Sequence, residues 1–454
     1  PRREGLADNE FPEEGKTIMH RHEESVLTKL QRIGEMSRAD EGIKFRTLAH
    51  LLTVEHLENS FRKLNQRGAP GVDGVTMKQF KENLYWNIFQ LNQELREGRY
   101  RAVSVKRVYI PKANGKKRPL GIPTVKDRVV QRAVCEILNE IYEPYFVDNS
   151  YGFRPGRSCH DALRKLKTEM NKKSTNYVVE ADIMSYFDKV NHEWLKKFLE
   201  HRISDKGILR LIGKWLKCGF MENGVVVRSE EGTPQGGPIS PMLANIYLHY
   251  VLDLWFERKF KKGCAGKAEL IRYADDFVVC FEKKAEAERF MKELEERFAA
   301  FNLKLAVDKT KLIELERWNS DKSGTRGKGD GKERTLVFLG FTHYMKKWKH
   351  ITFLVRKISV KSRNKFLKGV KDWLKENRER KIWHQMMMLG KKLKGFYNYF
   401  GIIDSEKTMW KIRYHVKWIW YKSLKRRSQR SNLIWREFVI KPWVAALPDY
   451  VNAK

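Results

Sequence analysis

The sequence predicts a mixed core of helices and strands, of the α/β or α+β class, followed by a basic helical domain. Short β-branched or alternating segments interleave with amphipathic helical segments over roughly residues 100–343. Beyond residue 356 the pattern becomes helical, and residues 356–430 contain 23 Lys or Arg against five acidic residues. A chain of 454 residues, of which 41% are hydrophobic, is long enough for about two to four folding units.

The net charge restricts the class of partner. Lys and Arg number 91 against 56 Asp and Glu, which gives a formal charge of +35. A folded protein with this charge is expected to bind a polyanion, with nucleic acid as the first candidate and membrane phosphate as the second. The apolar runs are shorter than the roughly 20 residues of a membrane span, so we expect no membrane insertion.

The cysteines argue against two small-domain scaffolds. There are five, an odd number, and none forms a Cys-x-x-Cys pair. This pattern disfavours a zinc ribbon and a disulfide framework. We expect reduced, intracellular thiols.

The N-terminal part is predicted to be helical. Residues 1–17 are polar and rich in Glu and Gly, and we expect a disordered arm there. Helices are predicted within residues 18–64 and over residues 76–98. The breaker-rich segment 68–74 between them is predicted to be a structured loop.

The core begins with a basic hairpin. Residues 105–110 alternate and are β-branched, a turn follows over residues 111–115, and a second basic strand comes next. Residues 99–132 contain 11 Lys or Arg against one acid, so the hairpin is finger-like and strongly positive. Residues 177–183 form the next apolar strand.

Further helices and strands complete the core. A hairpin is predicted over residues 270–281, and alternation predicts strands at Leu303, Leu305 and Val307 and at Val337, Leu339 and Phe341. The glycine-rich segment 320–332 is predicted to be a flexible insertion. The remaining helices of the core are predicted over residues 192–201, 206–218, 241–256 and 285–301.

Three acids are the first candidates for chemistry. Asp182 lies near the end of an apolar strand, and Asp275 and Asp276 lie in the turn of the predicted hairpin. Carboxylates that approach one cleft repel one another unless a divalent cation lies between them, and Mg²⁺ is the natural occupant. The alternative is that an Asp-Asp pair is a common polar turn.

Three other segments accompany these acids. A Gly- and Pro-rich loop at residues 232–238 allows a close backbone approach and offers the amide of Gln235. Phe187 follows Asp182 by five residues, and the cations from Lys112 to Arg118 could bind phosphates. Taken singly, the same features would be a structural loop, a core aromatic and a solvated turn.

Together these segments resemble the ordered blocks of a bacterial group II intron reverse transcriptase. The resemblance covers residues 68–341, and the basic tail, with Gly-Phe-Tyr-Asn-Tyr-Phe at residues 395–400, is similar to the thumb or maturase domain of that family. The blocks are Ile-Pro-Lys to Arg-Pro-Leu-Gly-Ile-Pro (110–123), Ser-Tyr-Gly-Phe-Arg-Pro (150–155), Asp-Lys-Val-Asn-His (188–192), Thr-Pro-Gln-Gly-Gly-Pro (233–238) and Tyr-Ala-Asp-Asp (273–276).

The resemblance implies an α+β right-hand polymerase with fingers, palm and thumb. An antiparallel palm sheet would be backed by helices and followed by a helical, basic thumb/maturase domain. The implied division is an N-terminal helical extension at residues 18–92, fingers and palm at residues 93–343, and thumb/maturase at residues 344–454.

The resemblance also implies roles for single residues. Asp182, Asp275 and Asp276 would be catalytic and would hold two Mg²⁺ ions, with Mn²⁺ possible and the Ile183 carbonyl as an extra ligand. The implied dNTP contacts are Lys112, Arg118, Phe187, which would be a steric gate, and Gln235. The expected template or primer contacts are Tyr273, Ala274, Arg154 and, near a predicted helix end in the tail, Lys425, Arg426 and Arg427.

The implied activity is RNA-directed DNA polymerisation, a nucleotidyl transfer from dNTPs to a DNA or RNA primer on an RNA template. Structured group II intron RNA is expected as a further partner, in splicing and mobility. Two alternatives stay open, a splicing maturase without polymerase activity and a free-standing enzyme of the same lineage in repair or defence.

A bacterial cytoplasmic location, nucleoid-associated during action on DNA, is expected. Many relatives carry a C-terminal Cys/His-rich nuclease domain, and because none is recognisable up to Lys454 we do not expect target-DNA cleavage by these residues.

Overall fold

Most of the predicted helices and strands occur in the predicted order, and the structure adds two long helices, Val125–Tyr142 and Cys159–Asn171, that the sequence patterns did not predict. The computed structural model describes residues 25–111, 117–222, 224–227, 231–233, 236–315, 335–349, 351–402, 406–428 and 430–450. The predicted arm at residues 1–17 and the predicted insertion at residues 320–332 lie outside these residues.

The bounds of the elements are as follows. The helices are α1 Val26–Ala39, α2 Val54–Arg62, α3 Met77–Glu82, α4 Leu84–Arg96, α5 Val125–Tyr142, α6 Cys159–Asn171, α7 Tyr186–Lys189, α8 His192–Glu200, α9 Lys206–Lys217, α10 Ser240–Leu248, α11 Lys284–Ala300, α12 Val360–Glu376, α13 Ile382–Phe400, α14 Glu406–Lys425, α15 Trp435–Ile440 and α16 Pro442–Ala445. The strands are β1 Val105–Pro111, β2 Lys117–Ile122, β3 Tyr177–Ala181, β4 Phe220–Glu222, β5 Val225–Val227, β6 Ala268–Tyr273, β7 Asp276–Phe281, β8 Lys311–Glu314, β9 Leu336–Phe338, β10 Phe341–Trp348 and β11 Ile351–Ile358.

The N-terminal helices begin at capping side chains. Ser25, Thr53 and Thr76 each accept a hydrogen bond from a backbone N–H in the first turn of the helix that follows. The single helix predicted over residues 76–98 is two helices, because the backbone leaves the helical conformation at Asn83. Helices α1 and α2 pack on α5, which joins this extension to the core.

The predicted basic hairpin is confirmed as β1 and β2. The two strands are antiparallel from the Lys106–Ile122 pair to the Pro111–Lys117 pair. They belong to a four-stranded sheet in the order β2-β1-β4-β5, in which β4 runs parallel to β1. The hairpin therefore projects from a small mixed sheet.

The central sheet has the order β6-β7-β3-β8, and all its neighbours are antiparallel. Its two faces are both buried, since alternate residues of β3 and β7 enter different clusters. Phe277, Val279 and Phe281 pack against α11, and Val278 and Cys280 pack on the α6 side. The prediction of an antiparallel sheet backed by helices is confirmed.

The C-terminal helices form a separate apolar cluster. It extends from Ile358 to Tyr450 around the fully buried Trp420, whereas Trp383 and Trp410 are exposed. The three-stranded sheet β11-β10-β9 lies between this cluster and the central sheet. The boundary predicted between residues 343 and 344 lies inside β10.

Two predicted strands are wrong in detail. The alternation at Leu303, Leu305 and Val307 does not form a strand; Leu305 makes one bridge to Ile183 and a 3₁₀ turn follows. The segment around Leu339 is a turn between β9 and β10, because its backbone turns left-handed there, with φ of 47°.

The predicted helix 241–256 is longer than expected, since α10 continues through π-helical turns to Phe260.

The remaining global expectations concern membranes and thiols. Within the described residues, every helix is too short or too polar to span a bilayer. All five cysteines are free thiols.

Candidate active site

The Tyr-Ala-Asp-Asp segment lies at the tip of the β6–β7 hairpin. Tyr273 pairs with Asp276 across the hairpin, so Ala274 and Asp275 form a two-residue turn. The backbone of Ala274 has a φ of 59°, a left-handed conformation that costs a residue with a Cβ about 1 kcal/mol. Surrounding contacts must therefore hold the turn.

Asp182 lies beside this turn because of the strand register. Ala181 pairs with Phe277 at the end of the β3–β7 ladder, so one further step places Asp182 opposite Asp276. The Asp182 carbonyl accepts a hydrogen bond from Ala306 N at 2.8 Å. Ile183, the predicted carbonyl ligand, is buried in the same fixed segment.

Burial and neighbouring charges perturb the pKa values of Asp275 and Asp276. Burial raises the pKa of Asp275, and the charge of Asp182 adds to the effect. Asp276 is the first residue of β7 and lies at the surface. Its pKa is nevertheless raised to about 6, mainly because the surrounding protein displaces water and secondly because Asp275 and Asp182 are negatively charged. The cluster therefore carries a negative charge that the nearby cations Lys309 and Lys361 only partly offset.

Lys309 is a functional candidate that the sequence analysis missed. Its ammonium group forms an ion pair with the Asp182 carboxylate, and that hydrogen bond raises the pKa of Lys309. The only sequence signal was a lysine shortly after the misread strand at residues 303–307.

The acids fit Mg²⁺ by ligand type, since carboxylate oxygens are the ligands that this cation prefers. In the part of the chain that the structure describes, no three His, Cys, Asp or Glu side chains form a ready-made metal cluster. Burial, and after it the repulsion from neighbouring carboxylates, raises the pKa values of Asp275 and Asp276, and a cation bound there would relieve that repulsion.

This electrostatic arrangement predicts a pH dependence. Asp276 is protonated below a pH of about 6 and ionised above it, so binding of Mg²⁺ or Mn²⁺ should weaken as the pH falls through about 6. The same raised pKa means that Asp276 stabilises the metal-free fold at low pH, and this contribution disappears as the pH rises through about 6. Mn²⁺ binding followed by electron paramagnetic resonance from pH 5 to 8 measures the effect. A flat affinity profile would contradict it.

A buried polar network supports the turn from behind. Arg272 is fully buried and forms a bidentate ion pair with the buried Asp253, at 2.7 and 2.5 Å. Another nitrogen of Arg272 donates to the Ala274 carbonyl and to the Asn245 side chain, both at 3.0 Å. The hydrogen bond from Arg272 to the Ala274 carbonyl therefore supports the left-handed backbone of Ala274 directly. The sequence signal for this network was an arginine directly before the Tyr-Ala-Asp-Asp segment, and the sequence analysis assigned it no role.

The block at residues 150–155 packs against the same turn. The Gly152 carbonyl accepts from Asn245 Nδ2 at 2.6 Å, and a Cβ at Gly152 would lie 2.2 Å from Ala274 N. Only glycine allows this approach of the two backbones. The motif therefore positions the turn that carries Asp275.

The prediction that Arg154 contacts template or primer is corrected. Its guanidinium is buried, pairs with Glu143 at 2.8 Å and donates to the carbonyls of Val147 and Ser150. Since protein acceptors occupy the group, Arg154 shapes the loop that carries Gly152.

Phe187 lies next to the Gly- and Pro-rich loop. Its ring is half-buried against Tyr186, and its carbonyl accepts from Thr233 N at 2.7 Å. Arg118, on β2, is close enough to Asp275 to lower the pKa of that acid, which opposes the effect of burial. Lys112 and Gln235, the other predicted dNTP contacts, lie outside the described residues.

The predicted template and primer contacts lie in two places. Tyr273 is half-buried and Ala274 is buried in the turn, and their contact with nucleic acid stays a prediction. Lys425, Arg426 and Arg427 are exposed at the end of α14, as predicted, and Arg427 donates to the Arg380 carbonyl at 2.7 Å.

Comparison with known proteins identifies the class. The family model described as reverse transcriptase (RNA-dependent DNA polymerase) matches residues 110–343, more than half of the chain. The chain therefore belongs to the reverse transcriptase family. The predicted α+β reverse transcriptase fold is confirmed.

Individual relatives refine the family. Protein YkfC of Escherichia coli (strain K12) is 36% identical over 63% of this chain and 84% of its own length. Group II intron-encoded protein LtrA of Lactococcus lactis subsp. cremoris is 39% identical over 52% of this chain, but the match spans only 39% of LtrA. The predicted resemblance to group II-like reverse transcriptases and maturases is confirmed. Apo telomerase from Candida tropicalis, truncated from its C-terminal domain, shares 16% identity at a TM-score of 0.40 over 60% of each chain.

Proposed function

We propose that this chain is an RNA-directed DNA polymerase that extends a primer 3′-OH with dNTPs on an RNA template. The observation that carries the proposal is the register that sets Asp182 opposite Asp276, with Asp275 in the adjoining turn. Primer extension by the purified chain on a defined RNA template tests it. Incorporation of the complementary dNTP is the expected result.

The residues would divide the work as follows. Asp182, Asp275 and Asp276 would hold two Mg²⁺ ions, or Mn²⁺, with the Ile183 carbonyl as a further ligand. When bound, these ions supply activation of the primer hydroxyl and charge neutralisation at the triphosphate. Arg118 would add positive charge at the triphosphate on the fingers side.

We also propose that the chain binds structured group II intron RNA and assists splicing and mobility. The similarity to a group II intron-encoded protein and the exposed cations at the end of α14 support this role. A maturase without polymerase activity is the main alternative; the three intact acids argue against it. A free-standing enzyme in repair or defence is the other. The proposed location is the bacterial cytoplasm, at the nucleoid during action on DNA.

Phe187→Ala should relax the choice of sugar. As a steric gate, the Phe187 ring would collide with a ribose 2′-OH, so its removal should raise ribonucleotide incorporation relative to deoxyribonucleotide roughly 100-fold. The measurement is the ratio of kcat/KM for matched dNTP and rNTP. Phe301→Ala, which removes another half-buried aromatic of the same core, is the matched control and should leave the ratio unchanged. An unaltered ratio in the Phe187 variant would make Phe187 a core residue.

Reversing the charge of Lys425, Arg426 and Arg427 should weaken RNA binding without affecting nucleotide incorporation. A variant with Glu at positions 425, 426 and 427 removes three exposed cations, so the slope of log K against log salt should fall by about 2 or more. Single-nucleotide incorporation at saturating template should persist, because no acid of the site changes. Glu at Lys283, Lys284 and Lys292, three exposed lysines at α11, is the charge-matched control. Unchanged affinity for structured RNA would show that the cluster is only solvated surface.

A further inference from the structure

Helix α9 carries a basic stripe that the site described above does not use. Its cations Lys206, Arg210, Lys214 and Lys217 recur every three or four residues, so they follow one side of the helix about 6 Å apart. The helix contains no acidic residue. Its opposite side is anchored in the core by Ile208, Leu211, Ile212, Trp215 and Leu216.

The stripe borders a groove rather than a flat surface. A cavity of about 910 Å³ lies between α8 and α9, and Glu200 is the only acid among the residues that line it. Its floor is apolar and includes Leu199, Leu209 and Ile212. The cations along it are Arg101, Lys196, Lys206, Arg210, Lys214 and Lys217. A chain that carries regularly spaced negative charges and apolar groups would fit both the row of cations and the apolar floor.

The groove adjoins the neighbourhood of the steric-gate candidate Phe187 through shared wall residues. It shares Leu216 and Cys218 with a second cavity of about 300 Å³, which is bounded by Asp188 and Thr233. Thr233 N donates to the Phe187 carbonyl at 2.7 Å. His192, the first residue of α8, lines the groove. Its ring forms a hydrogen bond with the Gly232 carbonyl, in the Gly- and Pro-rich loop, at 2.7 Å.

We propose that this groove binds the unpaired, not yet copied part of the nucleic-acid template. The inference rests on the proposed polymerase function and adds the path of one strand to it. A row of cations about 6 Å apart suits successive phosphates of a single strand, and an apolar floor suits the faces of its bases. In this proposal the strand would run from the groove past Leu216 and Cys218 toward the cavity beside Thr233. An acidic protein segment is the competing occupant.

Template–primer duplexes with a 5′ template overhang of about 1 to about 12 nucleotides test the proposal. Affinity of the full chain is measured by fluorescence anisotropy without dNTP, so the result does not depend on catalysis. The variant Lys206→Gln, Arg210→Gln, Lys217→Gln removes three exposed charges. Lys214 is kept, because its ammonium group donates to the Tyr100 carbonyl.

The wild-type chain should bind long overhangs more tightly than short ones. The groove variant should lose roughly 10- to 100-fold of that gain at about 100 mM salt, and its salt slope should fall by about 2. Affinity for the shortest overhang should stay unchanged. The charge-matched control with Gln at Lys283, Lys284 and Lys292 should bind like wild type, and thermal unfolding checks that all variants are folded.

Two results would overturn the proposal. One is an overhang gain that is the same in the groove variant and in wild type. The other is the absence of any overhang gain, with binding of a poly-glutamate peptide that the groove variant loses, which would assign the groove to an acidic protein. If overhang binding behaves as expected while primer extension fails, the groove remains a single-strand site and the polymerase proposal alone is wrong.

Discussion

Asp275→Asn is expected to reduce dNTP incorporation on an RNA template by about 10³-fold or more, with little change in template affinity. The substitution keeps the size of the side chain and removes one negative charge from the turn. The remaining acids, Asp182 and Asp276, would then hold cations more weakly. Template binding is expected to depend on basic surfaces, which the variant leaves intact.

Single-turnover incorporation with preformed complexes separates chemistry from binding. Asp372→Asn, at an exposed position of α12, is a matched control and should be fully active. Because one like charge is gone, the pKa of Asp276 should also fall in the Asp275 variant, so the pH at which its weakened Mn²⁺ binding is half lost should shift lower. Normal primer extension by Asp275→Asn would remove the catalytic assignment.

Arg272→Ala is expected to produce the largest loss of stability among the site variants, about 3 to 5 kcal/mol. The change leaves the carboxylate of Asp253 buried without its partner. It also removes the donor to the Ala274 carbonyl, so the left-handed turn loses its support. Urea unfolding measures the free energy of unfolding directly.

Two comparison variants separate charge from geometry at this network. Arg272→Lys keeps the charge but cannot form the bidentate pair, so it should lie between wild type and Arg272→Ala. Arg289→Ala removes an exposed arginine that pairs with Glu293, and should cost less than about 1 kcal/mol. If Arg272→Ala were as mild as Arg289→Ala, the network would not hold the turn.

Local patterns predicted the two hairpins where the chain is extended over several residues. Alternation predicted the first strand of the β1–β2 hairpin, and apolar segments on either side of an acidic turn predicted the β6–β7 hairpin. The same alternation failed after α11, where only Leu305 pairs and Val307 is 77% exposed. Alternation shows that a segment can be extended; whether it finds a partner strand depends on tertiary packing.

The site could be predicted only where a motif encodes a local arrangement. The three acids were found because strand ends and turns are local features. The role of Arg154 was misjudged because an arginine in a loop has the same sequence pattern whether it faces a phosphate or a buried Glu143. Lys309 was missed because its contact with Asp182 spans a long separation in the chain.

Asp182, Asp275 and Asp276 are proposed to form a site for template-directed nucleotidyl transfer. Single-nucleotide incorporation by the wild-type chain on an RNA template, with a primer and Mg²⁺, tests this proposal most directly. We predict incorporation of the complementary dNTP only, none after chelation of the metal, and none by Asp182→Asn. A folded, template-bound wild-type chain that incorporates no nucleotide under these conditions would contradict the claim and favour a maturase without polymerase activity.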